Sequence, residues 1–279
     1  MIPPTERKKM KRKLGINTDC LNGAFDEVST LVLAHNVGFE AITTSATSIH
    51  DVCNLKNKAD ALGIDFPYLH SPFKNINSMW LQGEDFRTVY NGIIESIDSA
   101  SACGVDAVVV HVSSGWQAPP VNDLGLSRFD SLVEYAADKK VTLAFENLRK
   151  VGNLAYLVDR YDQKENVKFC YDCGHEHCYT KTVSWVDIFT NRIIATHIHD
   201  NPGRDFQDKV SDNDFHWLPF DGTFNYHNMM KNLDKYGYDG PLMLEVFKYA
   251  KADYKAFSSK EFLSTAFERI KRISEINNF

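Results

Sequence analysis

A chain of 279 residues, 43 % hydrophobic and 24 % charged, can bury a large core, and its length suits one (β/α)8 barrel of ~250 residues without forcing a second domain. The formal net charge of -6 argues against broad binding to nucleic acid, which needs a clustered Lys/Arg face. Nowhere are there the ~18 consecutive apolar residues of a membrane span, and no signal-peptide core follows the basic start, so a cytoplasmic location is expected.

The chain begins with a basic run, Arg7, Lys8, Lys9, Lys11, Arg12 and Lys13. No aromatic residues interleave it, so residues 1–13 read as a solvated arm and 14–279 as the catalytic domain. Hydrophobic periodicity then predicts strands at Leu14 to Thr18, Ala41 to Ser45, Phe66 to His70, Ala107 to Val112, Val141 to Glu146, Val167 to Asp172, Ile193 to His199 and Pro241 to Val246. Helical patterns separate them: Ala24 to Val37, Ile49 to Leu62, Asp85 to Cys103, Leu126 to Lys139, Leu154 to Lys164, Val183 to Arg192 and Tyr226 to Tyr236. A last one, Ser259 to Ile276, follows the final strand.

Alternating one strand with one helix eight times implies parallel strands with right-handed crossovers, so the expected fold is α/β, a single (β/α)8 TIM barrel ringed by helices. An open doubly wound sheet is the alternative, but Asp19-Cys20-Leu21-Asn22-Gly23 after the first strand is no phosphate-loop fingerprint. The longest break in the rhythm, Pro202 to Thr223, has the length of a functional loop. Six cysteines (Cys20, Cys53, Cys103, Cys170, Cys173, Cys178) show no disulfide-framework spacing and read as free thiols. Cys170-x-x-Cys173 lacks the second pair of a zinc ribbon.

In a parallel barrel the strand C-termini open on one face, so residues distant in sequence meet there. The sixth strand, Val167 to Asp172, sends Cys170 and Asp172 to one side and Phe169 and Tyr171 to the other, and Gly174 is expected to let the chain turn sharply after it. His70, His111, Glu146, Asp172, His197, His199 and Glu245 lie at or near strand ends, while His175, Asp214 and His216 come from adjoining loops. Four carboxylates in one desolvated mouth repel unless cations compensate, and Arg149, Arg204 and Lys248, the nearest basic residues, do not obviously reach them. A divalent metal is the simplest compensation.

The ordered set His70-Ser71-Pro72, Glu146-Asn147-Leu148, Asp172-x-x-His175, His197-x-His199-Asp200-Asn201, Asp214-x-His216 through Gly222-Thr223, and Gly237-Tyr238-Asp239-Gly240-Pro241 with Glu245 resembles the xylose isomerase-like TIM barrels. That superfamily holds sugar isomerases and epimerases, inosose dehydratases and endonuclease IV-type abasic-site enzymes. By resemblance to ketose epimerases, Glu146, Asp172, His197 and Glu245 would bind one metal, with Glu146 and Glu245 as the proton-transferring pair. Three carboxylates and one imidazole make a mostly hard-oxygen site suited to Mn or Mg, with Zn or Co as further candidates. Such a metal polarises a carbonyl and stabilises the enediolate left when a carboxylate takes the neighbouring proton. His175 and Arg204 are the candidates for holding substrate hydroxyls, and Trp116, Trp217 and Phe220 for lining a sugar's apolar face.

By resemblance to the abasic-site endonucleases, His70, His111, Glu146, Asp172, His175, His197, Asp214, His216 and Glu245 would together bind three zinc ions for phosphodiester hydrolysis. The acidic net charge and the lack of basic, aromatic-bearing loops weigh against that alternative. An inosose-type dehydratase begins with the same proton removal, whereas a non-catalytic sugar-binding barrel would be expected to lack Glu146 or Glu245. The reading is therefore a metal-dependent isomerase or epimerase acting on a small-molecule sugar or sugar derivative, with no nucleic-acid or membrane partner. A homo-oligomer is compatible with it.

Overall fold

The computed structural model describes residues 11–21, 23–207 and 212–276. Arg7, Lys8 and Lys9 of the basic run, Asn22, and residues 208–211 of the long loop lie outside the described residues. All eight expected strands are present: β1 (Leu14–Asn17), β2 (Ala41–Thr43), β3 (Tyr68–His70), β4 (Ala107–Val110), β5 (Thr142–Glu146), β6 (Val167–Asp172), β7 (Ile193–His197) and β8 (Leu242–Leu244). The helices are α1 (Glu27–Val37), α2 (Ile49–Leu62), α3 (Phe86–Cys103), α4 (Asp123–Asp138), α5 (Val151–Arg160), α6 (Cys173–Tyr179), α7 (Trp185–Phe189), α8 (Tyr226–Lys235) and α9 (Ser259–Ser274).

Every strand pairing is parallel, in two sheets of order β2-β1-β8 and β3-β4-β5-β6-β7. Between the sheets the ladder narrows to isolated parallel bridges, Ala41 to Asp65 on one side and Ile198 to Leu244 on the other. Alternation along the strands divides the core in two. Ala41, Tyr68, Ala107, Val109, Ala144, Cys170, Ala195 and Met243 form one buried cluster, while the neighbouring strand residues Ile42, Leu69, Val108, Phe145, Phe169 and Tyr171 join the larger cluster packed with the helices. Because four of the eight residues in the smaller cluster are alanines, one long side chain can cross the interior. Tyr68 does so, donating its hydroxyl to the Thr196 carbonyl at 2.8 Å.

Three sequence expectations change. Arg12 is not a solvated charge: it is 5 % exposed, ion-paired to Asp234 at 2.7 Å and donating from Nε to the Tyr238 carbonyl at 2.8 Å. Its aliphatic stem packs where a lysine or arginine can bury carbon and still pair its head. Cys53 and Cys103 are not free thiols; they form a disulfide, with Cα atoms 5.0 Å apart. The pair lies at neighbouring positions of the packed helices α2 and α3, a proximity invisible in a separation of 50 residues. Cys20, Cys170, Cys173 and Cys178 are free and buried. Finally, the residues after Asp172 form the short helix α6 rather than a loop, so Gly174 makes no sharp turn and His175 and His177 are helical.

Candidate metal centre

The strand ends place a ring of imidazoles around one buried carboxylate. Glu146, at the end of β5, is fully buried. Its Oε2 lies 2.9 Å from His111 Nε2 and 3.2 Å from His70 Nε2, and its Oε1 lies 3.0 Å from His197 Nδ1 and 3.3 Å from His175 Nδ1. Burial would raise the Glu146 pKa, but the charges of His197 and His111 and hydrogen bonds from His111 and His175 hold it well below the ordinary value.

Asp172, at the end of β6, caps α6 by accepting from the His175 backbone N–H at 2.6 Å. This fixes its carboxylate beside His199 Nε2 (3.2 Å) and His175 Nδ1 (3.5 Å), so the same residue sets the helix and faces the site. From β8 and the segment after it, Glu245 brings Oε2 to 3.4 Å from His197 Nδ1. From the long loop, Asp214 reaches His175 Nε2 at 3.2 Å and accepts from the Tyr179 hydroxyl at 2.9 Å. His216 sits with its Nδ1 2.9 Å from the Glu245 carbonyl and its ring stacked on His199, centroids 4.0 Å apart. Burial pulls the His216 pKa down, but Asp214 and Glu245 push it up to about 10. Burial lowers His175 and His197 too, but both end raised, His175 by Asp172 and Asp214 and His197 by Cys170 first and then Glu245 and Glu146.

These donors form several groups, each with one ligand atom per residue and all such atoms within 4.8 Å of one another, among them Glu146, Asp172, His197 and Glu245; His70, His111 and Glu146, which shares Glu146 with the first; and His175, His199, Asp214 and His216. Several buried donor atoms have no hydrogen-bond partner among the described residues, namely Asp172 Oδ2, Asp214 Oδ1, His111 Nδ1 and His199 Nδ1, while His199 Nε2 faces the Asp172 carboxylate outside hydrogen-bond geometry. Such orphaned atoms are costly unless something else binds them, and carboxylates interleaved with imidazoles are the ligand set of a divalent transition metal. The residues present therefore fit a metal.

His199 is the donor that the sequence reading places at a strand end without a metal role. It stands two residues from His197, the spacing that turns both rings to one face of a strand. Gly174 makes room for it: a Cβ there would lie 2.0 Å from His199 Cε1. Among the other expected site residues, Arg204 lies with its guanidinium 4.0 Å over the Trp116 ring. Trp217 donates to the Ala250 carbonyl and stacks with Phe215, and Phe220 contacts Tyr226 and lies under Arg272 of α9; among the described residues no ring contact joins either to a donor residue. Of the basic residues near the mouth, Arg149 is engaged by Asp212 and Tyr179.

Parallel strands alternating with helices define an α/β protein, with the buried polar residues described above gathered at and just beyond the strand C-termini. The chain belongs to the xylose isomerase-like TIM barrel family, whose model matches residues 31–266. It is 24 % identical over 218 residues to the protein MJ1311 of Methanocaldococcus jannaschii, covering 72 % of this chain and 71 % of that one. To y4fM of Sinorhizobium fredii it is 31 % identical over 163 residues, covering 53 % and 50 %. Its fold is that of a xylose isomerase domain protein from Planctomyces limnophilus (TM-score 0.73, 16 % identity, 98 % of this chain and 100 % of that one) and of an L-ribulose 3-epimerase (TM-score 0.70, 16 % identity, 95 % of each). A D-psicose 3-epimerase from Clostridium cellulolyticum H10 superposes with a TM-score of 0.71 at 14 % identity over 94 % of this chain and 99 % of that one.

Proposed function

We propose that this protein is a metal-dependent isomerase or epimerase of a small sugar or sugar derivative, working by proton transfer next to a carbonyl. The observation that carries the reading is the convergence of Glu146, Asp172, His197 and Glu245, with one ligand atom from each within 4.8 Å of the others. The fold shared with ketose 3-epimerases supports it. These four residues would hold Mn, Mg, Co or Zn, and the bound ion supplies Lewis-acid polarisation of the substrate carbonyl.

The protein's own groups do the rest. Glu146 and Glu245 flank one point, His197 Nδ1, at 3.0 and 3.4 Å, so two carboxylates address the same small volume, one from the end of β5 and one from the segment after β8. Glu245, with 17 % of its side chain exposed, is the one open to an entering substrate and takes the proton. Glu146, fully enclosed by imidazoles, would deliver a second proton, drawn from one of them, to the same carbon, and exchange with solvent would restore both carboxylates. His70 and His111 hold Glu146 Oε2 and keep that carboxylate oriented.

The test combines metal content per chain, by elemental analysis after mild purification, with turnover of a panel of ketoses and inososes. About one divalent ion per chain with carbonyl-adjacent proton exchange supports the reading; no retained or rebound metal, or no exchange on any substrate of the panel, rejects it. A second reading, phosphodiester hydrolysis at three zinc ions, is favoured by the two further donor groups around His70 and His111 and around His175, Asp214 and His216. Close to three Zn per chain with cleavage of an abasic-site duplex would establish it instead.

A further inference from the structure

Beside the donor groups stands a second arrangement, built from loops at the same rim. Trp116, after β4, lies beneath the Arg204 guanidinium at 4.0 Å and within 5.8 Å of the Arg149 guanidinium. Its ring meets Tyr179 edge-on at 5.9 Å, and Tyr179 stacks on His175 at 5.2 Å, so two ring contacts connect it to the donor group of His175, His199, Asp214 and His216.

Arg149 and Arg204 differ in what satisfies them. Arg149 is paired with Asp212 and donates to the Tyr179 hydroxyl. Arg204 has no carboxylate partner among the described residues, and its Nη1 is buried with no hydrogen-bond partner. The Trp116 indole Nε1 is likewise buried and unpartnered. Stacking on an aromatic face stabilises a guanidinium but leaves its in-plane N–H groups unused.

The loop holds Arg204 in place by its backbone. Its N–H donates to the His177 carbonyl at 3.1 Å, the preceding Gly203 N–H donates to Asn201 Oδ1 at 2.8 Å, and Asn213 Nδ2 donates to the Gly203 carbonyl at 2.7 Å. A guanidinium stacked on an indole, with no carboxylate partner among the described residues and beside an N–H that can only donate, suits a ligand that is negative and accepts several hydrogen bonds.

We propose that Arg204 and Trp116 form an oxyanion subsite that binds the charged end of the substrate, a phosphate ester or a carboxylate, while its carbonyl end lies at the metal ligands. The inference rests on the isomerase or epimerase reading and adds the charge of its substrate. Guanidinium and phosphate or carboxylate match as planar fork to paired oxygens, and the indole N–H supplies a further donor. Arg149, neutralised by Asp212, adds little net charge.

The test is calorimetric titration of the full-length, metal-bearing protein with inorganic phosphate, glycerol 3-phosphate and glycerate. Wild type should bind at least one, with glycerol 3-phosphate preferred for a phosphate-ester site and glycerate for a carboxylate site. Arg204→Met should weaken that binding at least about tenfold, the usual consequence of losing a charged donor, with metal content unchanged; Arg204→Lys should restore part of it. Trp116→Phe, which keeps a stacking ring and removes one N–H, should weaken it by about threefold to tenfold and serves if Arg204→Met fails to fold. Equal affinity in wild type and the folded variants, or no binding of any of the three anions, overturns the subsite. Arg204-dependent binding without turnover of any sugar would instead remove the isomerase reading and leave the subsite standing.

Discussion

Replacing Gly174 by Ala sets local helix preference against packing. Gly174 lies inside α6 without a positive φ, so the backbone accepts alanine, and helix propensity alone would stabilise the variant by up to ~1 kcal/mol. The added methyl, however, would sit 2.0, 2.3 and 2.4 Å from three atoms of the His199 ring, against 3.4 Å for ordinary contact. The ring would have to move by about 1.4 Å, yet His199 is fully buried and stacked on His216. Overpacking of this kind costs about 1–3 kcal/mol, so packing wins and a melting temperature lower by a few degrees is expected. The displaced imidazole should also weaken retention of any ion held by His175, His199, Asp214 and His216. Gly152→Ala in α5, where the new methyl meets nothing within 4 Å, is the control and should not destabilise. Thermal denaturation and elemental analysis decide: a Gly174→Ala protein as stable as wild type, with the same metal content, would show that His199 is not confined as described.

Glu146→Gln and Glu245→Gln should each lower turnover by about 10²–10⁴-fold while circular dichroism stays that of the folded protein, and retained activity in either removes that residue from proton transfer. Adding a reductant, or making Cys53→Ser, should lower thermal stability by about 2–4 kcal/mol through loss of the link closing a 50-residue segment; six alkylatable thiols in the unfolded, unreduced protein would refute the bond. Glu27, near the start of α1, is raised above 4.5 by burial although the Thr18 and Thr44 hydroxyls donate to it. The folded state therefore holds this proton more tightly than the unfolded state, and its contribution to stability falls as pH rises from 4.5 through the raised value. Glu27→Gln should accordingly gain in melting temperature relative to wild type between pH 4 and pH 8; a difference that does not change with pH contradicts this.

The strands were legible because buried parallel strands are short apolar runs, and β6 matches its expected bounds at both ends. The donors at strand ends were legible for the same reason: once the fold is a parallel barrel, a polar residue closing a strand faces the common rim. What escaped depended on contacts across the chain. α6 is seven residues long and carries no apolar period, although Asp172 with the His175 N–H is a helix-start signal. The Cys53–Cys103 link needed α2 and α3 to be packed together. His199 was placed with His197 at the end of the seventh strand, but its grouping as a donor needs His175 on α6 and Asp214 and His216 folding back from the long loop. Arg12 could not be told from its basic neighbours, because its partners lie more than 220 residues away at Asp234 and Tyr238.

The interrupted ladder has a consequence for local opening. Glu146, Asp172 and His197 stand on the five-stranded sheet, whereas Glu245 follows β8 of the three-stranded one. Between β7 and β8 the junction includes backbone bonds from Ile198 N–H to the Met243 carbonyl at 2.8 Å and from Glu245 N–H to the Ile198 carbonyl at 3.1 Å. A breathing motion that parts this seam would carry Glu245 away while the other three donors remain fixed together. A cation shared by all four would act as a rivet between the sheets, and amide hydrogens along the junction, those of Ile198 and Glu245 first, would exchange more slowly when it is bound.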